Sequence, residues 1–420
     1  MASERTKKPV AFRVIMQKTY GLYTAGSTIS LFGMWAHKLA TAWLAWELTK
    51  SSFWVGLVAF SELVPTLLLT PFAGVLVERY DRLRLIRISQ FCGMIQSLAL
   101  ALMVLTGQMS EYHDIYWLIV WTVFLGIVWS LNTAARLSVV PNLVLRDDVP
   151  SAVAMNSAIF NLARVIGPAL GGWLIFRGGV GEAFLFNSVT YIFFIIALFL
   201  IKPVRDDRRP ATGRSIISQA ADGIHYASHH PGIGPLLVVL IAMALGGKSL
   251  LELMPEFVDK VFHTGEVGLG YLFSAAGAGG LFAAVWLTAR GRVEGLTTIS
   301  IGALFATAIA VFSFVITESF FVALISVFLL GVTGICGGTS TQTLMQHAVD
   351  ENLRGRVMSL YGMINRGAPA LGALAMGALA EVFGIRYAVA IGSAVCILVW
   401  IWVLPKTSAL RSILETKQNR

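Results

Sequence analysis

Long apolar runs recur along the chain from Tyr20 to Leu404, separated by short polar or charged segments. A membrane-spanning helix needs about 20 such residues, whereas the strands of a membrane barrel are about half as long and alternate apolar with polar residues. Because a backbone inside hydrocarbon must satisfy its own hydrogen bonds, the runs predict helices. The pattern therefore predicts an all-α membrane protein with twelve transmembrane helices, at roughly residues 20–48, 52–77, 84–107, 115–143, 150–176, 182–202, 233–260, 266–290, 296–316, 319–347, 354–381 and 384–404.

The least apolar stretch, 203–232, has six predicted spans on each side. Its first part is charged and contains proline, which is typical of a linker. Its second part has apolar residues at helical spacing, which predicts an amphipathic helix on the cytoplasmic face. We expect an N-terminal six-helix half over 1–202, this linker over 203–232, a C-terminal half over 233–405 and a cytoplasmic tail over 406–420.

The two predicted halves share a short repeat in their fifth spans. Pro168-Ala-Leu-Gly171 recurs as Pro369-Ala-Leu-Gly372, at the same depth of the fifth helix of each half. Duplicated six-helix halves with a substrate site near the bilayer midplane are common among secondary transporters. The repeat therefore predicts two pseudo-symmetric halves.

Charge is scarce, at 13% of residues, and unevenly placed. Of the 32 Lys and Arg residues, 23 fall in segments that are cytoplasmic if the N-terminus is inside. This asymmetry follows the positive-inside rule and predicts that both termini are cytoplasmic. The net charge of +9 is then explained by topology and by contact with anionic lipids, and nucleic acid is not expected as a partner.

No pattern in the chain predicts an enzyme or a metal protein. Cys92, Cys336 and Cys396 all lie in apolar runs, without the spacing of a metal site or a disulfide framework. The sequence has no phosphate-binding P-loop and no evident nucleophile–base pair, which argues against an ATP-driven pump and against catalysis. We expect no cofactor and no resident metal.

Ionisable residues inside the predicted spans are the clearest candidates for function, because charge at that depth costs several kcal/mol unless it is paired or hydrated. Lys38 and Glu62 lie at similar depths, and two interpretations of Glu62 stay open: it forms a structural ion pair with Lys38, or it carries protons or contacts substrate. Lys248 and Glu252 are four residues apart, on one face of a helix. Further candidates are His37, about 100° around the helix from Lys38, and Arg164, which faces the cavity or bonds another helix.

Two other groups complete the candidate site. Trp35, Trp121 and Trp129 lie deep enough to line a substrate cavity, whereas Trp46 is expected in the interfacial belt. Glu256 and Asp259 are expected near the outer surface, in contact with water.

The loop after the second span combines a small residue, acids and arginines: Gly74, Glu78, Arg79, Asp81 and Arg82. Acids and arginines at helix ends can latch two helices together through charge-assisted contacts. The alternative is positive-inside charge alone. In span five, Gly167, Pro168, Gly171 and Gly172 predict close helix packing or a gate.

The segment from Gly74 to Arg84 resembles the signature between spans two and three of the Major Facilitator Superfamily, with Glu78 in place of the usual Asp. Span five resembles the Gly-Pro-x-x-Gly-Gly element of exporters of that superfamily. The segments 140–144 and 353–359 are similar to a branch with enterobactin-exporter-like and macrolide-efflux-like proteins. The resemblance implies export by alternating access, driven by the proton motive force.

One position departs from that resemblance. Relatives often have an acid after the glycine at position 33, whereas this chain has Met34. If that acid carries protons in those relatives, Glu62 or Glu252 takes the role here.

We therefore expect a monomeric, multi-pass protein of the cell inner membrane that exports an amphiphilic small molecule, siderophore-like or a drug, by proton antiport. Its partners would be that substrate, protons and membrane lipids. Two alternatives stay open: a flippase for a lysophospholipid or similar amphiphile, and a membrane sensor or assembly factor that does not transport.

Overall fold

A computed structural model of the chain describes residues 14–202, Tyr226, 230–349 and 351–415. These ranges are helical and contain no strand. The predicted amphipathic helix of the linker lies outside them, apart from Tyr226 and 230–232. In chain order the helices are α1 (Lys18–Thr49), α2 (Ser52–Arg79), α3 (Arg82–Leu105), α4 (Ile115–Val139), α5 (Val149–Gly178), α6 (Val180–Leu200), α7 (Ile233–Glu252), α8 (Gly265–Arg290), α9 (Leu296–Ile316), α10 (Phe320–Ala348), α11 (Glu351–Phe383), α12 (Ile385–Val403) and α13 (Thr407–Glu415).

The all-α membrane fold is confirmed, and the helices follow the predicted spans closely. Ten helices in the described part of the chain are long and apolar enough to cross a membrane. The other two long helices, α1 and α11, have 32 and 33 residues and carry charged side chains along their length. The count of twelve spans and the cytoplasmic position of the termini stay predictions.

The repeat between the fifth spans has a structural counterpart. Pro168 lies inside α5, and Pro369 lies inside α11. Each of these helices is followed by a glycine with a φ of 83°, Gly179 after α5 and Gly384 after α11. L side chains rarely adopt this conformation, so glycine allows the chain to turn directly into the next helix. The same local design therefore occurs twice.

The seventh span differs from the single regular helix predicted over 233–260. Its α-helix changes to a π-helical turn at Met243–Lys248, and α7 ends at Glu252. A separate short helix, Met254–Lys260, follows with Pro255 in its first turn. Proline has no N–H to continue a helical hydrogen-bond ladder, which explains the break. The prediction of an uninterrupted seventh helix is wrong at this point.

The described residues pack as two compact units. The first contains the described residues of Met1–Leu44 and Val64–Thr212. The second contains Ala45–Leu63 and the described residues of Gly213–Arg420. The end of α1 and the beginning of α2 thus pack with the later helices of the chain.

Within the first unit, glycines let α5 approach α1 closely. A Cβ added at Gly167 would lie 2.5 Å from the Cβ of Trp35, and one at Gly171 would lie 2.8 Å from the Cα of Ala36. Both distances are too short for any larger residue. Small residues at these positions allow the two helices to approach closely, and a role of the glycines as a gate stays a prediction.

Within the second unit, α13 forms part of the predicted cytoplasmic tail and packs on the helical bundle. Its Leu410 and Leu414 are buried. Glu415 accepts hydrogen bonds from the backbone N–H groups of Gly295 (2.6 Å) and Thr297 (2.9 Å), at the beginning of α9. A carboxylate in this position satisfies N–H groups that have no partner within the helix.

Candidate functional site

In the first unit, α1 carries a row of polar side chains that bond to other helices. Ser30 donates to Gln90 on α3 (3.3 Å), and Gln90 donates to Asn132 on α4 (3.2 Å). One turn earlier, Arg136 of α4 donates to Ser27 and lies 5.1 Å from the ring centre of Phe194. These bonds hold polar groups inside an apolar bundle, where unpaired ones would be costly.

His37 belongs to the same row and is buried between α1, α3 and α6. Its Nδ1 lies 3.2 Å from the hydroxyl of Ser97, which also accepts a hydrogen bond from Asn187 (3.1 Å). Its ring centre lies 4.9 Å from that of Phe184. The Nε2 atom of His37 has no hydrogen-bond partner among the described residues. The side chain therefore takes part in packing between helices of this unit.

The other candidates of the first unit lie along α1, α4 and α5. The guanidinium of Arg164 lies 5.8 Å from the ring centre of Trp35. Trp35 also contacts Phe160 of α5 edge to face, with the ring centres 5.8 Å apart. Trp121 and Trp129 are half-buried on α4. Whether these aromatic residues contact substrate stays a prediction.

The predicted pair of Lys38 and Glu62 is divided between the two units. Lys38 belongs to the first unit and Glu62 to the second. Both side chains are half-buried. Their pairing stays a prediction.

The loop between α2 and α3 contains part of the predicted latch. Asp81 precedes α3, and its carboxylate accepts a hydrogen bond from the N–H of Arg84 (2.6 Å), as an N-cap does. Arg82 donates to the carbonyl of Ser138 at the end of α4 (3.3 Å), and Arg79 is exposed. The side chain of Glu78 and the surroundings of Gly74 lie outside the described part of the structure. The loop thus joins α3 to α4 through Arg82.

In the second unit, Lys248 lies among polar groups of α10 and α11. Lys248, at the end of the π-helical turn, donates to the amide oxygen of Asn365 on α11 (2.6 Å). Tyr361 of α11 donates to the carbonyl of Gly338 on α10 (3.1 Å). Glu252 is half-buried at the end of α7. The sequence pointed to Lys248 and Glu252, whereas Asn365 and Tyr361 were not predicted.

A second cluster of the same unit joins the end of α1 and the beginning of α2 to the short helix Met254–Lys260. Trp46 donates through its indole N–H to Asp259 (2.9 Å), and Lys50 forms an ion pair with the same carboxylate (3.2 Å). Lys260 pairs with Glu256 (2.9 Å). We call these five residues and Ser52, which donates to Glu256, the Trp46 cluster.

The Trp46 cluster corrects two expectations. Trp46 is 0% exposed and Glu256 is 8% exposed, so the tryptophan does not face lipid and the carboxylate is not in free contact with water. The two lysines lie over the indole ring, with the Nζ atoms of Lys50 and Lys260 at 5.5 and 5.0 Å from its centre. Both contacts are within the range of a cation–π interaction.

Asp259 lies beyond the end of α7, where opposing effects act on the pKa of its carboxyl. Partial burial raises the pKa of this carboxyl, but the hydrogen bonds from Trp46 and Lys50 and the charges of Lys50 and Lys260 outweigh it. The result is a pKa below the ordinary value for aspartate. Asp259 is therefore held as a carboxylate near neutral pH.

A family model described as a transmembrane secretion effector matches residues 10–418 of the chain. The staphyloferrin A transporter of Staphylococcus aureus is 27% identical over 366 residues, which are 86% of this chain and 90% of that protein. The enterobactin exporter of Salmonella typhimurium is 26% identical and aligns with 82% of this chain and 78% of its own length. The multidrug efflux pump Tap of Mycolicibacterium fortuitum is 25% identical, with 83% and 86% covered.

Solved structures show the same fold at low sequence identity. A bacterial homologue of the iron transporter ferroportin has a TM-score of 0.71 and 16% identity, with 94% of this chain and 99% of that chain covered. A nucleoside transporter has a TM-score of 0.70 and 12% identity, with 93% and 99% covered. These similarities concern the fold alone.

Proposed function

We propose that this chain, which belongs to the transmembrane secretion effector family of the Major Facilitator Superfamily, is a secondary exporter of amphiphilic small molecules. Relatives across most of its length are named as transporters or exporters of siderophores and as a drug efflux pump. The observation that carries the proposal is this family match over nearly the whole chain. The substrate is proposed to be siderophore-like or a drug.

The polar side chains inside the helices support a substrate that is not purely apolar. The first unit has Arg164 beside Trp35, and the second has Lys248 bound to Asn365. A charged or polar group is retained at such depth only at a cost, so intramembrane charges usually mark a transport pathway. Together with aromatic side chains they suit an amphiphilic molecule.

The proposed cycle is alternating access, in which substrate binds from the cytoplasm or the inner leaflet and leaves on the other side. The Trp46 cluster is a contact that such a cycle would break and remake, because it joins α1 and α2 of the predicted N-terminal half to the short helix Met254–Lys260 of the predicted C-terminal half. Proton entry resets the cycle in this proposal. Glu62 and Glu252, both half-buried, are the candidate proton carriers.

The test uses purified protein in liposomes that contain a pH-sensitive dye, with enterobactin, staphyloferrin A and ethidium as probes. We expect transport of at least one probe to be accompanied by proton movement in the opposite direction. Glu62→Gln or Glu252→Gln is expected to abolish this proton movement. Glu294→Gln is the matched control, because Glu294 is exposed. Full coupling in both carboxylate variants would rule out the assigned proton carriers. Absence of flux for every probe would count against export.

A further inference from the structure

A cleft of about 600 Å³ opens on the surface of the first unit, where α3 begins and α6 ends. Three basic residues border it: Arg84 and Arg87 of α3, and Lys202 just beyond α6. Its walls also include the exposed apolar side chains of Ile88 and Phe199. The cleft therefore combines positive charge with an apolar surface, and it has space for a ligand.

The apolar side of the cleft continues along both helices. Further exposed apolar residues follow Ile88 along α3 and precede Phe199 along α6 at spacings of three or four: Phe91, Ile95, Leu98, Leu102, Phe193 and Ile196. Residues at this spacing lie on one face of a helix. The two helices pack side by side, since Ser188 of α6 donates to the carbonyl of Met94 on α3 (3.3 Å). In a membrane span, an exposed apolar face is the surface that hydrocarbon covers.

Arg87 is held in place by the last turn of α6. Its Nε and Nη2 atoms donate to the carbonyl of Leu198 (3.1 and 2.7 Å), and its guanidinium lies 4.6 Å from the ring centre of Phe199. Carbonyls this close to the end of a helix have no partner within it, so the arginine supplies one. The carbonyl orders the side chain at the border of the cleft, and Nη1 remains available for a ligand.

The charges around the cleft favour an anionic ligand. Arg84 and Lys202 are exposed. Asp81 also borders the cleft, but its carboxylate already accepts a hydrogen bond from the N–H of Arg84 (2.6 Å), as the N-cap of α3. Three basic groups thus face one carboxylate that has a partner. Arginine and lysine form strong charge-assisted hydrogen bonds with phosphate oxygens.

The position of the cleft along the helices agrees with a lipid. The beginning of α3 and the end of α6 lie on the predicted cytoplasmic side, where anionic headgroups are concentrated and where basic pockets between helices bind them. Arg84 and Arg87 precede the exposed apolar face of α3. The basic groups and the apolar surface therefore follow the order of a phospholipid, with the headgroup first and the acyl chains after it.

We propose that this cleft binds an anionic phospholipid, with its phosphate between Arg84, Arg87 and Lys202 and its acyl chains along Ile88 and Phe199. The site lies on the outer surface of the first unit, so the proposal does not depend on the export function. It differs from a general attraction of basic residues to the membrane surface, because a single cleft selects the lipid.

The test locates bound lipid by photolabelling of purified protein in phosphatidylcholine bilayers that contain a minor fraction of phosphatidylglycerol. Either lipid carries the same diazirine in an acyl chain, and peptide mass spectrometry identifies the labelled residues. The measured quantity is the adduct yield from phosphatidylglycerol divided by that from phosphatidylcholine. We expect this ratio to be at least about fivefold higher at Ile88 and Phe199 than at Phe305 and Ile309, exposed residues of α9, as one cation near a membrane surface allows.

The basic side chains are tested by combining Arg84→Gln with Lys202→Gln. Both residues are exposed, so the double variant is expected to fold normally, and its labelling ratio at Ile88 should fall to the value at α9. Combining Arg84→Lys with Lys202→Arg keeps both charges and should retain the enrichment.

The matched control combines Arg292→Gln with Arg354→Gln. These arginines are exposed, belong to the second unit and lie on the same predicted side of the membrane, so the control removes an equal charge away from the cleft. It should leave the labelling ratio at Ile88 unchanged. Thermal unfolding of all variants checks that each one folds.

Several results would overturn the lipid site. Equal labelling ratios at the cleft and at α9, or unchanged enrichment in folded protein with Arg84→Gln and Lys202→Gln, would each do so. The same loss in the control with Arg292→Gln and Arg354→Gln would assign the effect to general surface charge. Loss of enrichment on addition of inorganic phosphate would indicate a site for soluble phosphate. Selective labelling of a protein that exports no probe would support the site and contradict only the export function.

Discussion

Trp46 is fully buried, although a tryptophan near the end of a membrane span usually lies among lipid headgroups. Its indole N–H has a carboxylate partner, and its ring faces have two ammonium groups nearby. One side chain therefore connects Asp259, Lys50 and Lys260. Removing it should affect the cluster as a whole, because each of its contacts depends on the same ring.

Trp46→Leu is expected to destabilise the second unit by about 2 kcal/mol, below the range for truncating a buried tryptophan to alanine because leucine refills part of the volume. The variant also leaves Asp259 without its indole donor. Thermal unfolding of purified protein in detergent provides the measurement. Trp117→Leu is the matched control, since Trp117 is 56% exposed and its replacement should change the unfolding temperature little.

Asp259 gives the cluster a defined pH dependence. Its pKa in the folded protein is below the ordinary value, so its ionic contacts stabilise the fold above the unfolded pKa of about 3.9. This contribution is lost as the pH falls through the lower folded pKa. Because the side chain is 36% exposed, the effect is at most about 1 kcal/mol.

We therefore expect wild type to unfold at a higher temperature than Asp259→Asn at pH 7, and the difference to shrink as the pH falls below about 4. Unfolding scans of both proteins across that range give the result. A difference that stays constant as the pH falls would show that the asparagine acts through packing, and the ionic explanation would fail. Glu318→Gln, which alters a carboxylate that is 84% exposed, should change stability little at any of these pH values.

At the scale of single elements, α13 packs against the helical bundle although its hydropathy does not predict this. Its sequence has few apolar residues, but they fall on one side and are buried at Leu410 and Leu414. The helix is held at its end by Glu415, which bonds to α9, and by the carbonyl of Leu414, which lies 3.1 Å from Nδ1 of His347. A polar tail is thereby ordered by a few specific contacts.

Glu415→Gln is expected to weaken the docking of α13, because an uncharged amide is a poorer acceptor for the two N–H groups of α9. The expected loss is about 1 kcal/mol, as for other helix N-caps. Hydrogen exchange of the N–H groups of Gly295 and Thr297 provides a local measurement. Faster exchange at these positions, with unchanged exchange in α3, would support the capping role, and unchanged exchange everywhere would contradict it.

At the scale of the whole molecule, the sequence predicted the position of the long helices, which depends on composition over many residues. Apolar runs and flanking charges located the helices, and Pro168 and Pro369 marked the repeated fifth span. The break in the seventh span was harder to predict from the sequence. Gly246, Gly247 and Pro255 are visible in the sequence, but no local rule distinguishes a π-helical turn from a tolerated glycine pair. The close contact of Gly246 with Gly392 of α12 joins distant parts of the chain.

The site was predicted least well where its contacts join distant parts of the chain. Lys248 stood out because charge is costly in a span, whereas its partner Asn365 lies 117 positions away and carries no charge. Trp46 and Asp259 are separated by 213 positions, so each resembled an isolated residue near a membrane surface. Pairs of this kind are set by helix rotation and packing, which a single sequence does not encode locally.

A contact between the predicted N-terminal and C-terminal halves leads to a prediction about transport itself. If export proceeds by alternating access, the contact between the beginning of α2 and α11 must open in each cycle. Ser51 donates to Glu381 across this contact at 2.5 Å, near the exposed end of α11. A short bis-methanethiosulfonate cross-linker, which forms a disulfide with each thiol, is expected to stop efflux when it joins Ser51→Cys to Glu381→Cys in a chain without Cys92, Cys336 and Cys396. Reduction of these disulfides should restore efflux.

The matched control for this cross-link is the pair Glu318→Cys and Arg386→Cys. Glu318 lies in the turn between α9 and α10, and Arg386 lies at the beginning of α12, 3.6 Å away. Both residues belong to the predicted C-terminal half. The same reagent should leave its efflux unchanged. If the pair on α2 and α11 keeps full efflux after complete cross-linking, that contact stays closed during transport, and the opening of the bundle must occur elsewhere.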